Sequence, residues 1–197
     1  MHLFHIPGSR STRVVWALEE IGAPYDLTVL DRTQKQSEEH LARHPLGRVP
    51  VLKLDDGQLM FESAAICLHV ADLHPESGLL PPVGTTARAL AYQWTLFAMT
   101  ELEAKVFAFL FARRRGEDES EHAAELEPRA AAVRRAVSVH EWVAGDTFTV
   151  ADIFCGTMLA NAFKRELLTE DGPLREYADR VVARPAYARA EAAGRTD

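Results

Sequence analysis

Three hydroxyl side chains stand close together near the start of the chain, in the run Pro7-Gly8-Ser9-Arg10-Ser11-Thr12-Arg13-Val14. A hydroxyl donor held at the N-terminal end of a helix lowers the pKa of a nearby thiol, because the O–H group and the helix dipole both favour the anion. An ordinary thiol titrates near about 8.5, so such a shift decides whether it is nucleophilic at neutral pH. Arg13 falls in the first turn of the helix that follows, where its charge opposes the dipole. Two readings stay open for it, a place beside an anion or an outward surface position. A second candidate set, Glu62-Ser63, opens another helix. The N–H groups at a helix start attract a carboxylate. Ser63 adds a hydroxyl donor, and Glu62 offers an anion to an ammonium group. A simple helix cap is the alternative reading of that pair.

Val49-Pro50 forms a third set, at the mouth of the apolar run Val51-Leu52-Lys53-Leu54. Proline cannot donate to a sheet ladder, so Pro50 is either the first strand residue or on an open edge. A cis bond would turn the Val49 N–H and C=O outward, towards an extended peptide that could pair as an added strand. Spacing alone favours trans, since only about 5–6% of X-Pro bonds in folded proteins are cis.

Other chemistries find less support. His40 and His44 have helical i, i+4 spacing, but no third histidine or carboxylate completes a metal motif, and Pro45 ends that helix. No metal is expected. The chain contains no P-loop and no dinucleotide fingerprint, and Ser9 lacks the nucleophile-elbow pattern. Cys67 and Cys155 lie in apolar helical stretches and read as buried free thiols of a reducing compartment. The net charge of -7 argues against a nucleic-acid partner. Leu3-Phe4-His5-Ile6 already reads as a strand, so no signal peptide is expected. No apolar run reaches the roughly 18 residues of a membrane span. A cytoplasmic protein without a membrane partner is the expectation.

The elements that must position these residues follow from periodicity and punctuation. Strands are expected over Leu3–Ile6 and Tyr25–Leu30, with a helix between them from Thr12 to a cap at Gly22. A polar helix over Gln36–Arg43 stops before His44-Pro45. Val51–Leu54 and Leu59–Phe61 flank the hairpin turn Asp55-Asp56-Gly57, and Glu62 opens the next helix. The order β-α-β-α-β-β-α describes a small mixed sheet with helices against it. His74–Gly84, rich in proline and glycine, reads as a linker. Beyond it every segment is helical: Ala87–Arg113, Ser120–Val143, Thr149–Phe163, Leu174–Val182 and Pro185–Ala193. Phe148-Thr149-Val150-Ala151-Asp152-Ile153 carries a capping box between Thr149 and Asp152, with Phe148 and Ile153 spaced as a hydrophobic staple.

Pro45-Leu46-Gly47-Arg48-Val49-Pro50-Val51-Leu52, with Glu62-Ser63 twelve residues past the proline, resembles the glutathione site of the glutathione S-transferase superfamily. The resemblance extends over essentially the whole chain. It implies an α/β thioredoxin-like N-terminal domain (residues 1–74) with a cis proline, a linker (75–84) and an all-α C-terminal helical domain (85–197). It also implies that Val49 pairs with the cysteinyl backbone of glutathione beside Pro50. Glu62 and Ser63 would hold the γ-glutamyl end, and Arg48 would lie near the glycine carboxylate, with His40 as a second candidate; solvated surface is the alternative for both. Arg43 would act electrostatically or be surface.

Pro7–Val14 resembles the serine-dependent Delta, Theta and Phi-like transferases, in which the serine two residues after the proline stabilises the thiolate. That residue is Ser9. Ser11 is the second candidate or a helix cap, Thr12 is structural, and Arg13 completes the catalytic set. Beta-class bacterial enzymes carry a cysteine where Arg10 stands, which excludes mixed-disulfide chemistry on that residue. No tyrosine lies between Met1 and Pro24, against a tyrosine mechanism. The second substrate is expected between the halves, against Trp94, Phe97, Ala98 and Glu101. In a homodimer, Glu101 or Glu103 would approach the partner's glutathione. The implied activity is conjugation of glutathione, as cosubstrate, to a small hydrophobic electrophile in detoxification. The alternatives are a non-catalytic binding or scaffold protein, and a glutathione-dependent isomerase, dehalogenase or peroxidase.

Overall fold

The computed structural model describes residues 1–170 and 172–195. The elements in chain order are β1 (His2–His5), α1 (Ser11–Ile21), β2 (Asp26–Val29), α2 (Glu38–Arg43), β3 (Val51–Lys53), β4 (Leu59–Phe61) and α3 (Ser63–Leu73). The helices α4 (Thr86–Phe97), α5 (Glu103–Arg115), α6 (Ser120–Val137), α7 (Val150–Lys164), α8 (Pro173–Val182) and α9 (Pro185–Ala192) follow. Short 3-10 turns lie at Gln34–Gln36 and Pro75–Ser77. These residues form two compact units. One comprises Met1–Leu79 with the chain from Arg184 onward, and the other Leu80–Ala183.

The first unit is built on a four-stranded mixed sheet of order β2-β1-β3-β4. β1 and β2 are parallel, and α1 supplies the crossover that a parallel pair requires. β3 runs antiparallel to β1, and β4 antiparallel to β3. Leu3 and Leu52 are paired across β1 and β3, share one face of the sheet and are fully buried. Val14, Val15 and Leu18 of α1 and Ile66 and Val70 of α3 are equally inaccessible, and α1 packs on α3. The other face carries a smaller cluster of Phe4, Leu30 and Val51, with Ile6 and Val49 against it. Gly22 ends α1 in the left-handed region (φ 74°), its N–H donating to the Leu18 carbonyl. This is the thioredoxin-like arrangement expected.

The last helix belongs with this unit, although its composition places it with the helical half. α9 packs on α1. Arg184 makes two hydrogen bonds to the Glu20 carboxylate at 2.6 and 2.7 Å, and Arg189 Nε reaches Glu19 at 2.6 Å. The Trp16 and Tyr187 rings meet edge-on at 4.9 Å.

The second unit is all helical. α7 is its central element, with Ile153, Phe154 and Cys155 fully buried, and it packs against both α4 and α8. The expected capping box is present at its start. Asp152 accepts from the Thr149 N–H at 2.8 Å, and also from the Val143 N–H at 2.9 Å and the Tyr177 hydroxyl at 2.8 Å. Two expectations require correction. The helix expected over Ala87–Arg113 is interrupted by a π turn at Ala98–Leu102, where the Glu103 N–H bonds to the Ala98 carbonyl. The π turn adds a residue to one turn, so the apolar stripes of α4 and α5 do not share one 3.6-residue period. The helix expected to run to Val143 ends at Val137. The chain then turns so that Trp142 and Val143 become core, with a bridge from Trp142 to Gly145.

Candidate active site

The sheet register brings the candidate residues together. Phe4 pairs with Val51, and Val51 pairs with Phe61. The exit of β1, the entry of β3 and the exit of β4 therefore lie at the same end of the sheet. Ser9 and Arg10 follow β1, Val49-Pro50 precedes β3, and Glu62-Ser63 follows β4. Residues far apart in sequence are thus neighbours because β3 runs opposite to both β1 and β4.

The hydroxyls of the first set are not equivalent. Ser11 is fully buried, and its Oγ turns back to β1 rather than out. It lies 2.7 Å from His5 Nδ1, 2.7 Å from Ser9 Oγ, and accepts from the Ile6 N–H at 3.1 Å. Ser9 is half-buried, and its Oγ accepts from the Ser11 N–H at 3.2 Å. Ser9, not Ser11, therefore satisfies a donor at the start of α1, and Ser9 is the less buried of the two. Arg10 is exposed. Arg13 is buried, which removes the outward surface reading, and its charge acts on Cys67 of α3. Thr12 is also buried.

The loop into β3 is held from behind. The Val49-Pro50 peptide bond is cis, against the spacing-based preference for trans and as the family resemblance implied. His40 is fully buried, and its Nε2–H donates to the Arg48 carbonyl at 2.9 Å. The His44 Nδ1 accepts from the Leu46 N–H at 3.0 Å. Burial lowers the His44 pKa and nearby His40 adds to that, against the charge of Glu62. These bonds use one ring nitrogen of each histidine, and His40 Nδ1 is buried without a hydrogen-bond partner among the described residues. Gly47 has φ 56°, and a Cβ there would lie 2.6 Å from the Lys35 carbonyl oxygen, so glycine is required. Arg48 and Glu62 are exposed. Arg43 pairs with Glu39, and its guanidinium lies 4.2 Å above the Phe4 ring.

At the exit of β4, Glu62 adopts φ 73° and ψ 109°. A side chain held in that region costs of order 1–3 kcal/mol and marks functional turns. Its carbonyl accepts from the Ile66 N–H at 3.0 Å, closing the first turn of α3. Ser63 is buried, and its hydroxyl has no hydrogen-bond partner among the described residues. A buried, unpaired hydroxyl beside the N–H groups of a helix start is a place for a ligand to supply the missing acceptor.

Known proteins resemble the chain in sequence and in fold. A family model described as "Glutathione S-transferase, N-terminal domain" matches residues 1–72. The glutathione S-transferase GstA of Escherichia coli O157:H7 is 34% identical over 174 residues, which is 86% of each chain. The chain belongs to the glutathione S-transferase family. Its relatives of known structure include a sphingomonad glutathione S-transferase complexed with glutathione, 31% identical with a TM-score of 0.84 over 98% of both chains. A beta-class glutathione S-transferase of Sphingomonas chungbukensis is 30% identical with a TM-score of 0.81, again over 98% of both chains. This transferase therefore shares its whole fold with a beta-class enzyme while carrying Arg10, and not cysteine, in the β1–α1 turn.

In the helical unit of the transferase, Trp94 and Phe97 are half-buried and meet edge-on with centroids 5.2 Å apart. Glu101 is half-buried and bonded to Arg129 Nε at 3.1 Å, so its charge has a partner within its own unit. Glu103 is buried. Cys67 and Cys155 are both buried free thiols, and burial pushes Cys67 up to about 12. Among the described residues, no helix is long and apolar enough to cross a membrane. Two residues escaped the sequence reading. Tyr177, the third partner of Asp152, lies 25 residues away, and His5 reads only as part of an apolar strand.

Proposed function

We propose that this transferase binds glutathione at the common end of its sheet and conjugates it to a small apolar electrophile. The reading rests on one observation, the buried and unpaired Ser63 hydroxyl at the start of α3, beside Glu62 in its strained conformation. The glutamyl carboxylate would take the Ser63 hydroxyl and the α3 N–H groups, and Glu62 would take the ammonium. Val49 would pair with the cysteinyl backbone next to Pro50. Arg48, exposed on the same loop, would meet the glycine carboxylate, while His40 holds that loop through the Arg48 carbonyl. The Ser9 hydroxyl would then face the sulfur and favour its thiolate, with the α1 N-terminus adding to the effect. Ser11 and Arg13 would act from behind it, as buried support. The Trp94–Phe97 pair offers an aromatic surface to an apolar electrophile.

Retention on immobilised glutathione and conjugation of an aryl halide test the two halves of this proposal. Ser9→Ala should retain binding and lose rate at neutral pH. Unchanged turnover with an unchanged pH profile removes Ser9 from the mechanism. The proposal also keeps a cytoplasmic homodimer acting in detoxification, consistent with two reduced, buried thiols.

A further inference from the structure

The chain of hydrogen bonds behind Ser9 has a direction that the atoms themselves set. His5 Nε2 lies 3.3 Å from the Ala193 carbonyl oxygen, which can only accept, so the ring proton sits on Nε2. The neutral ring then presents a bare Nδ1, and the group 2.7 Å from it is the Ser11 hydroxyl. Ser11 must donate its single proton there. Of its other contacts that could take the proton, the Ile6 carbonyl is longer at 3.3 Å, and Ser9 Oγ carries a proton of its own to donate, which the bare Nδ1 does not. With that proton committed, Ser11 Oγ is an acceptor towards Ser9 at 2.7 Å, so Ser9 donates inward. What Ser9 shows outward is a lone pair.

We propose that Ser9, Ser11 and His5 form a proton relay, with His5 as the terminal acceptor for the glutathione thiol. The proposal rests on the reading of Ser9 as the partner of the sulfur. The S–H proton passes to Ser9 Oγ, the Ser9 proton to Ser11 Oγ, and the Ser11 proton to His5 Nδ1. The sulfur keeps the S–H electron pair, and His5 becomes an imidazolium that donates to both Ser11 and Ala193. Every hydroxyl has then reversed, and Ser9 donates to the thiolate it has just created. After the S–C bond forms and the leaving group departs with its electron pair, the proton returns through Ser11 and Ser9 to that anion or to water. A hydroxyl fixed with its proton inward cannot stabilise a thiolate without this reversal, so His5 is a positioning residue for the reaction and Ala193 selects its tautomer.

The surroundings of His5 suit the role. Burial holds its pKa below the ordinary value, which favours a neutral ring with Nδ1 free to accept but disfavours the imidazolium, and the bond to the Ala193 carbonyl opposes that shift by favouring the charged form. Of the charged groups on the elements around it, Glu19 and Glu20 of α1 are held by Arg189 and Arg184, and Glu191 of α9 by Arg195. The remaining charged and titratable groups on those elements are Arg13 on α1, Tyr187 on α9, Asp26 on β2, Lys53 on β3 and His2 on β1 itself.

The test uses the full chain and His5→Asn, whose amide oxygen can replace Nδ1 as an acceptor but cannot hold the proton. His5→Phe, Ser9→Ala and the Ser9→Ala/His5→Asn double variant complete the set. Thiolate absorbance of bound glutathione is titrated against pH, kcat/KM is measured over the same range, and S-methylglutathione, which has no thiol proton, reports binding alone. The relay predicts that His5→Asn raises the apparent thiol pKa and lowers kcat/KM at neutral pH roughly tenfold or more. That loss should vanish above the free-thiol pKa of about 8.5, with S-methylglutathione binding unchanged. In the double variant the second substitution should add nothing to the first. A wild-type thiolate titration in His5→Asn overturns the relay, as do additive effects in the double variant. His5→Phe should behave as His5→Asn; loss of S-methylglutathione binding in both assigns His5 to the fold and also overturns the relay. If the wild type raises no thiolate with glutathione, or Ser9→Ala is silent, the parent reading falls with it, and that result is distinct from a silent His5.

Discussion

Gly156 gives a prediction whose sign is decided by packing. It lies in the middle of α7, where replacing glycine by alanine ordinarily gains about 1 kcal/mol from helix propensity. Here a Cβ would stand 2.3 Å from Val181 Cγ1, 2.7 Å from its Cβ and 2.8 Å from Cγ2. Carbon atoms in contact sit about 3.5–4.0 Å apart, so α7 and α8 would have to separate by more than 1 Å. Val181 is fully buried and β-branched, so it cannot swing aside. The helices are also fastened by the 2.8 Å bond from Tyr177 to Asp152, which any separation would stretch. Overpacking costs about 1–3 kcal/mol, and losing a hydrogen bond to a charged group about 1.5–3 kcal/mol. After the propensity gain, Gly156→Ala should lose about 1.5–5 kcal/mol on these figures. Urea unfolding followed by tryptophan fluorescence measures it. Val181→Ala in the Gly156→Ala background should cost less than in the wild type, with a coupling of about 0.5–3 kcal/mol. A neutral or stabilising Gly156→Ala would refute the close approach of α7 and α8.

Other expectations follow from the same structure. Burial pushes Asp152 up to about 6, whereas an unfolded aspartate titrates near about 3.9. The folded state therefore holds the proton between those values. Stability from this group is full below about 4 and is lost as pH rises through about 6, a change of about 3 kcal/mol. Asp152→Asn should flatten that part of the stability–pH curve, and parallel curves for the two proteins would contradict it. Ser63→Ala should leave stability unchanged or slightly raised, because its buried hydroxyl has no partner among the described residues. The same change should weaken glutathione binding by about 1.5–3 kcal/mol, the worth of a hydrogen bond to a carboxylate. Calorimetry with and without glutathione separates the two, and equal affinity would remove Ser63 from the site. Cys67 and Cys155 should resist a thiol reagent in the folded protein and react at once in denaturant. Rapid labelling of the native chain would show that one of them is reachable.

What the sequence determined by itself was local. Helix periodicity, the turn residues, the linker composition and the Thr149–Asp152 capping box are all properties of residues within a few positions of one another. Their physics acts over one or two turns of chain, so spacing reports it. The chemical character of Ser9, Val49-Pro50 and Glu62-Ser63 was legible for the same reason, since each sits at the end of an element. Tertiary structure decided what those groups face. The strand register, not any spacing, carries residues 9, 50 and 63 to one end of the sheet. The fate of Ser11 depends on His5 across the turn, and Asp152 finds Tyr177 from another helix. The return of α9 onto α1 rests on Arg184, Arg189 and Tyr187 meeting Glu20, Glu19 and Trp16 some 170 residues away. Such pairings leave no periodic trace, because hydrogen bonds and packing depend on distance in space, and only the folded backbone sets that distance.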